Sequence, residues 1–503
     1  MRTSKLKILN LVAVNKEIVR TVTATSAAVK TDNIKPWTEI PGPSSLPIIG
    51  QLHHFLLGEL SKIEQNKVTM KLFETHGPIV RFDEMLGKPA MILLYEPECC
   101  SKVLRSENWT PMRSGFQSLE YYRKVLKKQR GHKSRVSGLI SDHGEVWKEF
   151  RSTVNPVMLQ PKTIKLYCSV LDEVAQDMIL RMKSLRDENN MIKENFDTEM
   201  NLWALESIGT VALGCRLNCF RKDLPDDSPE KQLIQCIHDL FIIANEIDFK
   251  PNLWRYFSTP LFKKAMRLYE HHETLTKYFL QKGIDQLKTK SDNDNEKGVL
   301  EKLLEIDEEV AYIMASDMLF AGVDTAANTI TATLYLLATN PDKQDKLRAE
   351  IMSKSEKRPY LKACIKESLR VMPVVSGNMR QTTKDIDVMG YRIPKDMHVV
   401  FANQDMSSME QHFPRAKEYI PERWVTDKSD PMYYGNTHPF VYMPFGFGTR
   451  SCIGRRIAEL EVDTFVARLI ENFKVEWVGS APTVSQTSLN YVKGPFNFIF
   501  KDV

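Results

Sequence analysis

This 503-residue chain has no C-x-x-C pair, no long Lys/Arg block and, near its N-terminus, no apolar stretch long enough to cross a bilayer. The longest apolar stretch near the N-terminus, residues 8–14, is too short to cross a bilayer, so no membrane anchor is expected there. The 8 cysteines include no C-x-x-C pair, which argues against a disulfide framework. No long Lys/Arg block accompanies the net charge of +5, so nucleic acid is not an expected partner.

Two cysteines, Cys215 and Cys219, are four residues apart and could share one helix face. A metal site would need two more ligands nearby, and the sequence offers none, so we interpret both as buried free thiols. The composition, with 42% hydrophobic and 26% charged residues, is typical of a globular domain.

The first 30 residues are basic and contain a single acid, Glu17. Residues 21–28 are rich in Thr, Ser and Ala, and this composition is typical of a mitochondrial transit peptide. A disordered basic tail is the alternative. We predict a transit peptide and tail over residues 1–35 and a single domain over residues 36–503.

Hydrophobic periodicity predicts a mainly α-helical fold with small β-sheets, an α+β domain. Helical spacing dominates residues 142–280, and the charged stretch 286–298 is predicted to be a surface loop. Short strands are expected within 79–94 and 374–400, and in a last sheet built from 473–478 and 496–500.

The segment 308–339 is predicted to be a long helix in the middle of the domain, because apolar residues occupy nearly every face. Asp317 and Asp324 interrupt it, so we do not predict a membrane span. Burying Asp324 beside the hydroxyl of Thr325 is expensive unless these groups serve a function. The alternative is a helix bend whose polar groups are satisfied locally.

Residues 444–454 carry the strongest chemical pattern, Pro-Phe-Gly-Phe-Gly-Thr-Arg-Ser-Cys-Ile-Gly. Gly446 and Gly448 permit a tight turn that can aim backbone N–H groups at the sulfur of Cys452. Such donors stabilise a thiolate, so we predict that Cys452 is the proximal ligand of a haem iron.

The neighbours of this cysteine suit the same chemistry. Phe445 can cover the sulfur side of a porphyrin, Arg450 can reach a haem propionate, and Gly454 lets the next helix pass close to the ring. The alternative interpretation is a buried cysteine beside a glycine turn.

The pattern Phe445-x-x-Gly448-x-Arg450-x-Cys452-x-Gly454 matches in full the haem-binding signature of the cytochrome P450 superfamily. The resemblance runs from about Pro41 to the C-terminus. It implies the cytochrome P450 fold, with haem b (iron protoporphyrin IX) between the long central helix and the cysteine loop. It also implies a monooxygenase that inserts one oxygen atom of O2 into a lipophilic small molecule.

The resemblance implies roles for further residues. Thr325 and Asp324 would deliver protons to dioxygen at the haem. Trp147 and Arg151 match a W-x-x-x-R helix that meets a haem propionate, and Arg380 matches another propionate-binding arginine. For these arginines, an exposed basic residue is the plain alternative.

The segment Glu367-Ser368-Leu369-Arg370 resembles the E-x-x-R motif of the superfamily. Its two charged ends lie three residues apart and therefore on one helix face. The resemblance adds Arg423 as a third partner and implies a buried structural network rather than a catalytic one.

Within the superfamily, the chain is most similar to insect enzymes of the mitochondrial clan, the family-12-like members. The stretches that carry this similarity are 155–161, 360–368 and 452–459. The resemblance implies that electrons come from a [2Fe–2S] ferredoxin, itself reduced by an NADPH-ferredoxin reductase. Lys362 and Lys366 would dock it, with Arg456 extending the patch. A solvated basic face is the alternative.

Two departures from the family pattern stand out. Ala326 replaces the usual second hydroxyl residue after Thr325, and the stretch 350–360 is shorter than in relatives. The shortening is either a real deletion or an error in the gene model, and it weakens the docking prediction because it lies near that face.

The resemblance and the basic N-terminus together predict a monomeric enzyme on the matrix side of the mitochondrial inner membrane, with peripheral membrane association. The expected substrate is a xenobiotic such as an insecticide, or a steroid such as an ecdysteroid. The pocket is expected to be lined by the segment after Trp109, by 241–247, 315–325 and 374–378, and near Leu489. Two alternatives remain: an electron-independent haem isomerase or peroxygenase, and a non-catalytic haem or ligand carrier.

Overall fold

The computed structural model describes residues 34–192, 195–289, 296–355 and 357–503. Residues 1–33, which hold most of the predicted transit peptide, lie outside this described part. The chain already belongs to the fold at Lys35–Pro36, a short strand that pairs in parallel with Tyr391 and Arg392.

The helices are, in chain order, α1 (Leu52–Leu56), α2 (Val68–His76), α3 (Pro97–Arg105), α4 (Gln117–Tyr121), α5 (Lys127–Gln129), α6 (Gly144–Leu159), α7 (Pro161–Lys165), α8 (Cys168–Leu185), α9 (Phe196–Leu213), α10 (Pro229–Ala244), α11 (Pro260–Thr289), α12 (Val299–Ile306), α13 (Glu308–Ala338), α14 (Pro341–Met352), α15 (Pro359–Val371), α16 (Asn403–Ser407) and α17 (Arg455–Asn472). Residues 286–289 are therefore helical, which corrects the predicted start of the surface loop, and residues 290–295 are outside the described part.

The strands are β1 (Lys35–Pro36), β2 (Ile79–Phe82), β3 (Met91–Leu94), β4 (Asn378–Gln381), β5 (Ile386–Val388), β6 (Tyr391–Ile393), β7 (His398–Phe401), β8 (Phe473–Trp477), β9 (Thr483–Gln486), β10 (Asn490–Lys493) and β11 (Phe498–Asp502). They form one four-stranded sheet in the order β2-β3-β7-β4, one three-stranded sheet in the order β1-β6-β5, and two antiparallel pairs, β8 with β11 and β9 with β10. The predicted strand zones are confirmed, but the β9–β10 hairpin was not predicted.

Helix α13 is the central element, as predicted. It begins where the Asp307 carboxylate accepts from the backbone N–H groups of Glu309 and Val310, which caps the first turn. Gly322 lets α9 come close, because a Cβ built there would lie 2.6 Å from a side-chain carbon of Ile208. Among the described helices, α13 is the one long and apolar enough to cross a membrane. In this fold it is a core helix, since 72% of its apolar window is buried.

The short connection before α15 is closed by one side chain. The two carboxylate oxygens of Glu350 accept from the backbone N–H groups of Tyr360 and Leu361, each at 2.8 Å. These are the free donors at the start of α15, and an acid at a helix N-terminus is favourable. The shortened stretch is therefore compatible with an intact helix. Cys215 and Cys219 are buried free thiols, which confirms that prediction.

The E-x-x-R residues form a fully buried ion network. One Glu367 oxygen accepts from Arg370 at 2.8 Å and from Arg423 at 3.0 Å, and the other accepts from Arg370 at 3.0 Å and from the Trp424 indole at 2.8 Å. Arg370 also donates to the backbone carbonyls of Ser407, Ala416 and Glu418. The network therefore joins α15 to the segment that runs from Ser407, the last residue of α16, to Trp424.

We expect Glu367→Gln to destabilise the protein by about 3–5 kcal/mol, because two buried guanidiniums lose the one carboxylate that pairs with them in the described part of the chain. Denaturant unfolding measures the loss. The matched control is Glu418→Gln, which removes one member of the exposed pair Arg415–Glu418 and should leave the unfolding midpoint unchanged. Equal effects of the two substitutions would contradict the structural role of the network.

Candidate active site

The loop that carries Cys452 is a tight turn built on two glycines with positive φ. Gly446 has φ 72° and Gly448 has φ 71°, a region that side-chain-bearing residues rarely adopt. The backbone N–H of Cys452 donates to the Phe445 carbonyl at 2.8 Å and closes the turn. The predicted turn is therefore present, and α17 begins three residues after the cysteine.

The thiol of Cys452 is both surrounded and accessible. Burial raises its pKa, while the Gly454 backbone N–H and the positive charges of Arg151, Arg113 and Arg455 oppose that rise. The residue is nevertheless exposed to solvent. These observations agree if the sulfur lies on the wall of an internal cavity, with protein behind it and open space in front. Such a sulfur can bind a metal on one side only.

Arg450 links the cysteine turn to two other loops through hydrogen bonds. Its guanidinium donates to the backbone carbonyls of Pro111, Leu139 and Asp142 at 2.7–3.1 Å and stacks 3.8 Å from the Trp147 ring centroid. It therefore draws two loops that are distant in sequence onto the cysteine turn. Direct contact of Arg450 with a propionate stays a prediction.

Four guanidiniums crowd this side of the cavity, those of Arg113, Arg151, Arg380 and Arg450. Burial and the positive charges of Arg113, Arg380 and Arg151 together lower the pKa of Arg450 to about 8. Burial and the Arg380 charge lower the pKa of Arg113 to about 10. Repulsion of this kind is relieved by anions, and the two propionates of a haem would supply them.

The other members of the cluster have partial partners. Arg380 pairs with Glu107 at 2.9 Å, and an Arg151 amine donates to the Ser451 carbonyl at 3.0 Å. The Arg151 Nε atom is buried and has no acceptor among the described residues. This orphaned donor, the arginine cluster and the exposed thiol together fit a haem with its propionates toward the arginines.

Arg113 was not identified from the sequence. Within the described ranges, no carboxylate pairs with its guanidinium. It follows Pro111, which Arg450 holds, and Met112, whose carbonyl accepts from Gln381 of β4. Its place beside the cysteine depends on these long-range contacts, and no local pattern could have predicted it.

On α13 the predicted pair separates onto two sides. The Thr325 hydroxyl donates to the Ala321 carbonyl at 2.7 Å. Ala321 is exposed and Thr325 is half-buried, although residues 313–320 before them are all buried. Asp324 is 1% exposed, and its Oδ2 accepts from the Tyr491 hydroxyl at 2.5 Å and lies 3.5 Å from His238 Nδ1. Sequence reasoning missed Tyr491 and His238, because the unpredicted hairpin carries one and a different helix the other.

Contacts link the five segments that were predicted to line the pocket. The rings of Phe116, Phe241 and Phe320 contact one another, with centroids 4.7–5.7 Å apart. The Ser488 hydroxyl donates to the Phe241 carbonyl at 3.1 Å, and the Asn490 N–H donates to the Val374 carbonyl at 2.8 Å. The chain thus brings the 116, 241, 320, 374 and 489 regions to one apolar site.

The comparison with protein families decides the identity of this fold and site, since the family model described as Cytochrome P450 matches residues 40–500. The chain belongs to the cytochrome P450 family. It is 37% identical to "Cytochrome P450 CYP12A2" of Musca domestica, over 98% of this chain and 96% of the relative. It is 36% identical to "Probable cytochrome P450 12a5, mitochondrial" of Drosophila melanogaster, over 93% and 91%. "Cytochrome P450 12b1, mitochondrial" of Drosophila acanthoptera is 33% identical, over 90% and 88%.

Membership of this family gives the P450 its cofactor and reaction class. It binds haem iron and is a monooxygenase, as the sequence predicted. The similarity to insect mitochondrial P450s, which the sequence also indicated, is confirmed.

We expect Cys452→Ser to abolish the reduced-CO absorption band of a thiolate-ligated haem in this P450, because serine oxygen does not replace a thiolate. A difference spectrum of the reduced protein measures it. Cys168→Ser changes an exposed free thiol at the start of α8 and should keep the band. If Cys452→Ser kept the reduced-CO band at the wavelength of a thiolate-ligated haem, the ligand assignment would be wrong.

Proposed function

We propose that this P450 is a ferredoxin-dependent mitochondrial monooxygenase that acts on a lipophilic small molecule. The observation that carries the proposal is the exposed face of α15, which presents Lys362 and Lys366 while its other face holds the buried Glu367 network. Relatives that are named as mitochondrial P450s support the same conclusion.

The docking face consists of Lys362, Lys366 and Arg456. All three are exposed, and among the described residues no carboxylate forms a salt bridge with them. Burial raises the pKa of nearby Asp463 to about 7, although Lys362 opposes this rise, so its charge offsets the face only in part near neutral pH. Unpaired positive charge suits an acidic protein, because complementary charge raises the association rate and sets orientation.

At the haem side, Cys452 would bind the iron through its thiolate, and Arg151, Arg380, Arg450 and Arg113 would neutralise the propionates. Bound there, the haem supplies reductive activation of dioxygen, which the thiolate promotes. Gly454 brings its backbone N–H to the sulfur, and a Cβ at this position would lie 4.0 Å from Sγ. Trp147 would hold Arg450 in place, and Phe445 would cover the sulfur.

Proton delivery is proposed for the two polar residues of α13. The Thr325 hydroxyl borders the cavity and can turn from the Ala321 carbonyl to a water or to oxygen. Asp324 would hold the proton that the threonine passes on, since its Oδ1 atom is buried and has no partner in the described part of the chain. An isomerase or a carrier has no use for this pair, which disfavours both alternatives.

The substrate is proposed to be apolar. Its pocket would be bounded by Phe116, Phe241, Val374 and Leu489. These apolar side chains favour contact with a hydrocarbon over contact with a charged group. A xenobiotic such as an insecticide and an ecdysteroid both satisfy this chemistry. We favour the xenobiotic, as the resemblance to family-12 members implies, and relatives with family-12 names agree with that resemblance.

Peripheral attachment to the matrix side of the inner membrane, as a monomer, completes the proposal. Ile48 and Leu57 are 83% and 87% exposed, and Tyr256 and Phe257 are also exposed. The Ile48 carbonyl accepts from Leu86 N–H, and Tyr256 packs beside Gly87, so these side chains belong to one region. Such a patch suits a lipid surface.

We expect the protein to float with cardiolipin-containing vesicles in a density gradient. Failure of the protein to float with them would contradict the attachment.

Charge reversal of the docking lysines should raise the KM for ferredoxin on the order of tenfold while leaving the reduced-CO band intact, because it weakens electrostatic association without touching the haem. NADPH oxidation by Lys362→Glu/Lys366→Glu with an acidic [2Fe–2S] ferredoxin and its reductase measures the effect. Lys222→Glu, at an exposed position in the loop after α9, is the matched control. Turnover with peroxide but none with ferredoxin and NADPH would favour the peroxygenase alternative.

Optical titration of the ferric protein tests the substrate class. We expect a Soret shift with a pyrethroid insecticide at lower concentration than with ecdysone, because the pocket is aromatic and apolar. Phe116→Ala should weaken the response, whereas Phe257→Ala, at an exposed phenylalanine, should not. Tighter response to ecdysone would reassign the enzyme to steroid metabolism.

A further inference from the structure

The carboxylate of Asp324 is held by two residues that the mechanism above leaves unused. Tyr491 of β10 donates its hydroxyl to Oδ2 at 2.5 Å, and His238 of α10 places Nδ1 3.5 Å from the same oxygen. The imidazole and phenol rings also meet edge to face, with centroids 5.1 Å apart and an interplanar angle of 88°. Three separate elements therefore converge on one buried carboxylate.

The three groups differ in their access to water. Asp324 is 1% exposed and Tyr491 is 5% exposed. The His238 side chain is 27% exposed, and it flanks the accessible stripe of α10 that includes Gln235 and Asp239. The imidazole is thus the member of the trio that touches both water and the buried acid.

The three groups also differ in what they can do with a proton. Burial and the negative charge of Asp324 raise the pKa of Tyr491, so its phenol stays protonated and serves as a fixed donor. The Lys493 ammonium lies 4.9 Å from the Tyr491 ring centroid. An imidazole, in contrast, takes up a proton at one nitrogen and releases one from the other.

We propose that His238 carries protons from solvent to Asp324, with Tyr491 as a positioning residue that fixes the carboxylate. The inference rests on the proposed proton-delivery role of Asp324 and extends it to the protein surface. His238 takes a proton from water at Nε2, and its Nδ1 proton passes to Oδ2 of the Asp324 carboxylate, which becomes a neutral carboxyl group. A half-turn of that group about its Cβ–Cγ bond places the proton on the side of Oδ1, from which it is released toward the cavity that Thr325 borders, and the carboxylate returns to its starting state. Insertion of one oxygen atom consumes two such protons, with two electrons from the ferredoxin, and releases one water.

The unpartnered Oδ1 atom supports this direction of transfer. A carboxylate relays protons only if one oxygen receives while the other can donate. In Asp324 the receiving oxygen is shared by Tyr491 and His238, whereas Oδ1 is buried with no partner in the described residues. If Asp324 had only a structural role, stability would be greatest with both of its oxygens hydrogen-bonded, as both oxygens of Glu367 are in the E-x-x-R network.

The test uses the haem-loaded protein with NADPH, an acidic [2Fe–2S] ferredoxin and its reductase. Two quantities are measured: the ratio of hydrogen peroxide formed to NADPH consumed, and the ratio of rates in H2O and D2O. His238→Gln keeps a hydrogen-bond donor but cannot carry a proton. We expect its rate to fall on the order of tenfold, with a larger peroxide ratio and a larger isotope effect, because proton supply becomes limiting.

The control is His132→Gln, the same change at an exposed histidine between α5 and α6, which should match the unsubstituted protein. The double variant His238→Gln/Asp324→Asn should be no slower than Asp324→Asn alone, because both residues act in one path. Tyr491→Phe should lower the melting temperature and raise the peroxide ratio, and both changes should be smaller in the Asp324→Asn background.

The outcomes separate this inference from the proposed function. If Asp324→Asn alters the two ratios and His238→Gln does not, the relay is overturned while the acid keeps its role. If Asp324→Asn alters neither, the role of the acid and the relay both fail. If the protein accepts no electrons from ferredoxin, that part of the proposed function fails, and photoreduced deazaflavin supplies the electrons for the same ratios.

Discussion

A buried charge is costly unless it finds an opposite charge or enough hydrogen bonds, and this cost organises the interior of the protein. The cost of burying the Glu367 charge is fully offset, because its two oxygens accept hydrogen bonds from two guanidiniums, an indole and a backbone N–H. The arginine cluster beside Cys452 is compensated only in part, since Glu107, which pairs with Arg380, is the one carboxylate among the described residues that forms a salt bridge with the cluster. The excess positive charge lies where the propionates of the family's cofactor would add two negative ones.

Different faces of one helix carry the structural groups and the groups proposed to act in function. On α15, the buried side holds the Glu367 network and the exposed side carries Lys362 and Lys366, so a change in helix register would damage both. On α13, the close approach of α9 at Gly322 presses one side into the core, whereas Ala321 and Thr325 border open space. Asp324 points to a third side, toward α10 and β10.

Local patterns predicted much of this arrangement. The glycine turn at 446–448 and the acid–hydroxyl pair on a long apolar helix are visible in short stretches, because their geometry depends on neighbours in sequence. The E-x-x-R spacing belongs to the same class. Arg113, His238 and Tyr491 were missed because each lies in a segment without a distinctive pattern and acquires its partner from a distant part of the chain.

The sequence by itself determined the glycine turn at Cys452, the buried central helix and the family, because a turn that aims N–H groups at a sulfur requires particular residues at adjacent positions. Only the tertiary structure decided which charges surround that sulfur and which groups hold Asp324. Those contacts join residues up to 339 positions apart, as between Arg450 and Pro111, and they arise from packing that no local spacing encodes. The cysteine turn could therefore be predicted from eleven consecutive residues. The charges around the sulfur, and the contacts of His238 and Tyr491 with Asp324, could not.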